Sequence, residues 1–333
     1  MDRQRLNRMA ILRVLRERGG TMSTAQISGQ LLAGERDMSE RTVRLYLQKM
    51  EGEGLIRHHG KRGSEITPAG IAELDAALVM QRIGSLSARI DRMTYLMDFD
   101  LASCAGTVVV NVALIEPAIL HTCCDEICQV FARGYAMGNR VCLLAPGERL
   151  GDQVVPEGLV GLCTVCSISV NGVLLKHGVP IHSRFGGLLE LCAGSPLRFC
   201  EFINYDGTSL DPLEIFILSR MTSYRRAIVD GNGRIGASFR EIPPESRDTV
   251  ALLARRLEDV GMGGFMAIGH NAEPLLGVPV LEGRAGAVVV GGLNPVAVVL
   301  ERGLNCQLNA MSGYMPYHRL HHYEELPRQV AAL

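Results

Sequence analysis

The sequence contains no tryptophan, and aromatic residues fill only 5% of its 333 positions. That scarcity argues against a surface built to stack sugars or bases. Long apolar spans are missing too. The longest run without a charge, Gly158 to Leu175, carries Thr164, Ser167, Ser169, Asn171 and three glycines. It is too polar for a membrane span, and its β-branched content predicts two adjacent buried strands. An apolar leader is absent: Met1-Asp2-Arg3-Gln4-Arg5 opens onto a charged helical pattern, so no secretory signal is expected. The ten cysteines lack the short regular spacing of a secreted scaffold, which predicts reduced thiols and a cytoplasmic protein.

A hydrophobic content of 47% with 21% charged residues describes a folded chain large enough for two or three packed domains. The net charge of −1 hides an asymmetry. Residues 1–66 hold thirteen Lys/Arg against eight Asp/Glu, and the remainder holds 21 against 27. A basic head on an acidic body is the pattern of a polyanion-binding module joined to something else.

Residues 1–80 parse as three helices, a short hairpin and a fourth helix. Leu6, Met9, Ala10, Ile11, Val14 and Leu15 form a stripe at helical spacing that Gly19-Gly20 ends. Ser23-Thr24 and Ser39 are N-cap residues for the next two helices. On the third, Val43, Leu47 and Met50 face inward, while Arg41, Arg44, Leu45 and Gln48 face out. A strand Leu55-Ile56-Arg57, a turn Gly60-Lys61-Arg62-Gly63 and a return strand Glu65-Ile66-Thr67 follow. This is the order of a winged helix-turn-helix, whose third helix fits the major groove while a cationic hairpin reaches the flanking backbone. The expected double-stranded DNA contacts are Ser39, Arg41, Thr42, Arg44 and Gln48 on the helix, with Arg57, His58, Lys61 and Arg62 on the wing. The alternative is a three-helix protein-interaction module with an ordinary basic surface.

Residues 81–100 form a connecting segment in which Ile83, Leu86, Ile90, Met93 and Met97 repeat with an a/d rhythm. Such a stripe is either a dimer seam, suited to operators with half-sites about 34 Å apart, or a helix lying on its own domain. Residues 101–333 alternate valine-rich runs with amphipathic stretches, a mixed α/β effector domain. Asp230-Gly231-Asn232-Gly233 suggests a hairpin. Leu174–Ile181 recurs as Leu275–Val280, each followed by an arginine, Arg184 or Arg284, and a glycine-containing apolar run. This repeat suggests two related halves enclosing a cleft.

The run from Cys163 to Leu175, then Gly178-Val179-Pro180-Ile181-His182-Ser183-Arg184-Phe185-Gly186-Gly187, resembles the regulatory domain of the archaeal nitrogen-regulation repressor family NrpR. Gly207–Glu214, Phe239-Arg240-Glu241-Ile242-Pro243 and Gly291-Gly292-Leu293-Asn294-Pro295 match the same family. The resemblance implies a dimeric repressor of nitrogen-assimilation operons that 2-oxoglutarate releases from DNA. Side-chain chemistry fits a small dianion as well, since a carboxylate needs an arginine fork, hydroxyl donors and free N–H groups at a glycine turn. Ser183, Arg184 and Gly186 supply these together, with Thr164, Ser167 and Asn171 nearby and Arg284 from the second repeat. Arg184 read alone is equally a surface ion pair, and Cys166 is either an effector contact or a small core hydrophobe.

No metal site, cofactor or catalytic group is expected. Cys163-x-x-Cys166 has no second pair, His318-x-x-His321-His322 has no evident partner, and Gly231-Asn232-Gly233-Arg234-Ile235-Gly236 lacks the strand–turn–helix context of a nucleotide loop. The rival to a regulator is an enzyme acting on a keto acid with a fused winged helix.

Overall fold

A computed structural model describes residues 3–34, 36–82 and 85–333, with backbone alone at residues 3–6, 61 and 76–82. The chain divides into two compact units, Met1–Ile83 and Gly84–Leu333.

The first unit is a winged helix. Helix α1 (Arg3–Arg18) buries Met9, Ile11, Leu12 and Leu15, and ends where Gly19 and Gly20 take φ of 65° and 72°. Helix α2 (Thr24–Ala33) opens on a capping box between Ser23 and Gln26. Helix α3 (Glu40–Gly52) buries Val43, Leu47 and Met50. Strands β1 (Ile56–His58) and β2 (Ser64–Ile66) pair antiparallel, and Met22 bridges to Ser64. Glycine is required at 63, where φ is 101° and a Cβ would stand 2.2 Å from the Met22 carbonyl oxygen. Helix α4 (Pro68–Arg82) completes the unit.

The second unit opens with α5 (Ser85–Leu96) and then runs twice through one pattern. The first pass is β3 (Thr107–Ile115), α6 (Pro117–Ala132), β4 (Arg140–Leu144), a small hairpin β5 (Arg149–Leu150) and β6 (Gln153–Val154), β7 (Val160–Val165), α7 (Ile168–Lys176) and β8 (His182–Cys192). Strand β9 (Ser195–Asn204), α8 (Pro212–Leu218) and α9 (Tyr224–Asp230) connect to the second pass. That pass is β10 (Gly233–Ile242), α10 (Arg247–Asp259), β11 (Phe265–Asn271), β12 (Ala285–Val290), α11 (Ala297–Glu301) and β13 (Gln307–Pro316). Strand β14 (His321–His322) and α12 (Leu326–Val330) close the chain.

Each pass gives its last strand to the other's sheet. The sheets run β13-β3-β7-β4-β14 and β11-β12-β10-β8-β9. The turn after β7 and the turn after β12 repeat one hydrogen-bonding scheme. Cys166 N donates to Val109 O and Gly291 N to Gly236 O, at 2.8 and 2.9 Å. The Ser169 hydroxyl donates to Val109 O at 3.0 Å and the Asn294 amide to Gly236 O at 2.8 Å. The domain therefore consists of two related, strand-exchanged halves.

Several sequence expectations change. The repeat lies in another register: Leu174–Ile181 ends α7 and leads up to β8, whereas Leu275–Val280 is a turn before β12, and β8 corresponds to β13. The stretch read as two strands is β7 followed by α7. Residues Ile168 to Leu174 are all buried, so the helix has no polar face to reveal its period. Asp230–Gly233 is no hairpin. Gly231 is the left-handed C-cap of α9, at φ 76°. The stripe faces its own domain, with Leu86, Ile90 and Met93 of α5 and Met97 just beyond it all in that domain's core; Ile83 lies outside the described residues. Gly172 of α7 is part of that contact, since a Cβ there would come within 2.4 Å of Met97 Cε.

Candidate functional site

In the second unit, the paired turns leave a narrow cavity of about 20 Å³, room for about one water molecule. Cys166 and Ser167 come from the turn after β7, Ile168 from the start of α7, and Gly292 and Leu293 from the turn after β12. Asn111 of β3, Ser183 of β8 and Arg240 of β10 add polar groups. Tyr205 and Asp211 enter from the segment between the halves, and Ile90 from α5. Gly292 is fixed by space: a Cβ would stand 2.1 Å from Val165 O and 2.5 Å from Asn111 Nδ2.

Arg240 dominates the chemistry. It is 1% exposed, and burial brings its guanidinium pKa down to about 10. Its donors reach only neutral acceptors, Asn171 Oδ1 and Ser238 Oγ, the latter from Nη2 at 3.3 Å and Nε at 3.4 Å. No carboxylate pairs with it among the described residues. Three of the five guanidinium N–H groups are thus engaged. Asn171 in turn donates to Ser183 Oγ at 3.1 Å, so Arg240, Asn171 and Ser183 form one chain of hydrogen bonds. The halves differ here. Ala237 opposes Val290 in one and Val110 opposes Val165 in the other, which sets Arg240 equivalent to Ala113, so only one half supplies a cation.

Acidic groups sit nearby. Burial raises the Asp211 carboxyl pKa and pushes Glu214 up to about 7. Glu214 accepts a hydrogen bond from Ala310 N, while Arg89 of α5 donates to Met311 O at 2.9 Å. The Cys166 thiol is driven up to about 12 by burial, the behaviour of an inert neutral wall group.

Of the effector residues expected from sequence, Cys166, Ser167 and Ser183 line the cavity, and Asn171 orients Arg240. Gly186 lies behind the wall, where a Cβ would meet Pro212 Cβ at 2.9 Å and Tyr205 Oη at 3.1 Å. Thr164 is buried in mid-sheet between Asn111 and Val141, its hydroxyl unpartnered among the described residues. The two expected arginines are displaced. Arg184 pairs with Glu241 at 2.9 Å, donates to Pro279 O at 3.1 Å and lies over the Phe239 ring; Arg284 is exposed in the turn before β12. Sequence reasoning passed over Arg240, Asp211 and Tyr205. The available signal was weak: β10 carries three charges, Arg234, Arg240 and Glu241, among Ile, Ala, Phe and small residues, and sequence alone does not say which of them is buried without an opposite partner.

In the winged helix, Arg41, Arg44 and Gln48 are exposed on α3. Ser39 caps that helix, accepting from Thr42 N at 3.3 Å, and its hydroxyl meets Thr42 Oγ1 at 2.9 Å. Arg57, His58 and Arg62 are exposed on the wing. The side chain of Lys61 lies outside the described residues. His58 Nδ1 is 3.1 Å from Ser64 Oγ, and His59 pairs with Glu65 at 2.8 Å.

Comparison with known proteins agrees with both units. Residues 83–322 match the family model for NrpR regulatory domains NRD1 and 2. This chain belongs to the NrpR family. Residues 9–74 match the ribonuclease R winged-helix domain model. A relative from Methanosarcina mazei named global nitrogen regulator NrpRI is 32% identical over 92% of this chain and 94% of its own length. Global nitrogen regulator NrpR of Methanococcus maripaludis is 29% identical over 90% of this chain, which spans only 52% of that longer protein. The crystal structure of a nitrogen repressor-like protein from Methanococcus jannaschii superposes with a TM-score of 0.60 at 26% identity, covering 72% of this chain and 98% of that one. Among the described residues, no helix is long and apolar enough to cross a membrane.

Proposed function

We propose that this protein is an effector-responsive transcriptional repressor of nitrogen assimilation. It binds operator DNA as a homodimer through α3 and the wing, and 2-oxoglutarate entering the cavity at Arg240 releases it. The observation that carries this reading is Arg240 itself. A buried charge with no opposite partner is strongly unfavourable, and an anion with a planar carboxylate is the natural complement of a guanidinium fork. Ser167 and Ser183 add hydroxyls suited to the remaining oxygens of a short keto dicarboxylate. The names of the relatives favour a regulator over an enzyme that turns over a keto acid.

Because the cavity is narrow, ligand entry moves its walls. Helix α5 supplies Ile90 to those walls and begins just after the junction of the two units. Its displacement is how effector occupancy reaches the DNA-binding head. A coupling of about 1–3 kcal/mol suffices to change operator affinity by a factor of about 5–150.

The test is equilibrium binding of 2-oxoglutarate alongside a turnover assay. Saturable binding without consumption, lost in Arg240→Met, is expected; Met preserves bulk without a charge. Steady consumption of 2-oxoglutarate, or undiminished binding to Arg240→Met, would contradict the proposal.

A further inference from the structure

Arg240 is not the only ionisable group on the cavity wall. Asp211 lines it as well, and its two oxygens are employed differently. Oδ1 accepts both capping N–H groups of α8, from Leu213 at 2.9 Å and from Glu214 at 3.1 Å. Oδ2 makes no hydrogen bond or ion pair among the described residues. An ionised Asp211 would repel a dianion placed beside it, and that repulsion is strong where water is scarce. A protonated Asp211 does the reverse, because an O–H donor to a carboxylate forms a short, charge-assisted bond.

We infer that Asp211 takes up one proton from solvent as a dicarboxylate binds and donates a hydrogen bond from Oδ2 to a ligand carboxylate, so that it selects acid ligands and makes effector affinity fall as pH rises. The inference rests on the effector reading above. It assigns Arg240 and Asp211 separate tasks: permanent charge from one, a conditional donor from the other.

The groups around Asp211 support the acid form. Its carboxyl pKa is raised, chiefly by burial, while the capping N–H groups and the Arg89 cation of α5 oppose the rise. Glu214, on the same helix, is raised by burial and further by the charge of Asp211, so the two carboxyls disfavour joint ionisation. The Tyr205 phenol and the Cys166 thiol, both raised by burial, are neutral at ordinary pH. Arg240 is the cation on the cavity wall. A ligand carrying an ammonium group would want Asp211 ionised, and its binding would show the opposite proton balance.

Calorimetric titration of the full chain with 2-oxoglutarate, in two buffers of different ionisation enthalpy, counts the protons. Uptake approaching one proton per ligand is expected near pH 8, with Kd weakening by up to about tenfold per pH unit. Asp211→Asn keeps the Oδ1 cap and places an amide where Oδ2 stood; it should bind with neither uptake nor pH slope. Glu214→Gln should keep both. No proton uptake, proton release, or an unchanged slope in Asp211→Asn overturns the inference and leaves the Arg240 site standing. Failure of the wild-type chain to bind 2-oxoglutarate at any pH overturns both. Should Asp211→Asn melt early, the wild-type count with Glu214→Gln decides: uptake retained in that variant supports Asp211, and uptake lost there overturns it.

Discussion

Arg240 and Arg184 lie on adjacent, paired strands yet have opposite fates. The register of β8 against β10 shifts between Phe239 and Arg240, and Arg184 is left beside Glu241 while Arg240 is buried. Local sequence favours Arg184, since Ser183 precedes it and Gly186-Gly187 follow Phe185; only the strand pairing shows which guanidinium lacks a carboxylate. The resemblance covered two stretches that contribute cavity-lining residues, Cys163–Leu175 and Phe239–Pro243, without separating wall from lining. Glu214 provides a prediction at this scale. Its carboxyl stands at about 7 in the fold against an ordinary 4.5, so between those values the folded state holds more protons than the unfolded one. Stability therefore falls as pH rises through that window. The difference in melting temperature between Glu214→Gln and wild type should grow in the variant's favour from pH 5 to pH 8, and a constant difference would contradict the assignment.

Elements with one wet face, or with an unbroken valine run, were legible in the sequence. Helices α1 and α3, α6 and α10, and strands such as β3 each carry a period or an unbroken valine run. Those without one were not. Helix α7 is buried all round, and β9 is mostly exposed with its register to β8 shifting twice, so neither shows an alternation to read. The a/d stripe of α5 was read correctly as apolar, but spacing does not say which surface covers it. Here the core of its own domain does. Met93→Ala should consequently cost about 2–5 kcal/mol of folding stability, seen as a lower melting temperature that does not depend on protein concentration. A loss that disappears at high concentration would return the stripe to a role between subunits.

The strand exchange is a property of the whole chain and is invisible locally: β13 must pair with β3 and β8 with β10 across long stretches of sequence. The division into a cationic head and an acidic body was readable from charge alone. On that head, Arg44→Ala should lose about 1–3 kcal/mol of discrimination for the operator, whereas Arg62→Ala should weaken all duplexes alike and reduce the salt slope by about one. Equal losses on specific and random DNA for Arg44→Ala would place base reading elsewhere. The central claim joins the two units. Fluorescence anisotropy of an operator duplex, titrated with wild type or Arg240→Met in the presence and absence of 2-oxoglutarate, measures it directly. Wild-type affinity should drop by a factor of about 5–150 with effector, and Arg240→Met should bind equally well with or without it. Release of Arg240→Met at the wild-type effector concentration would show that the buried arginine is not where the metabolite is sensed.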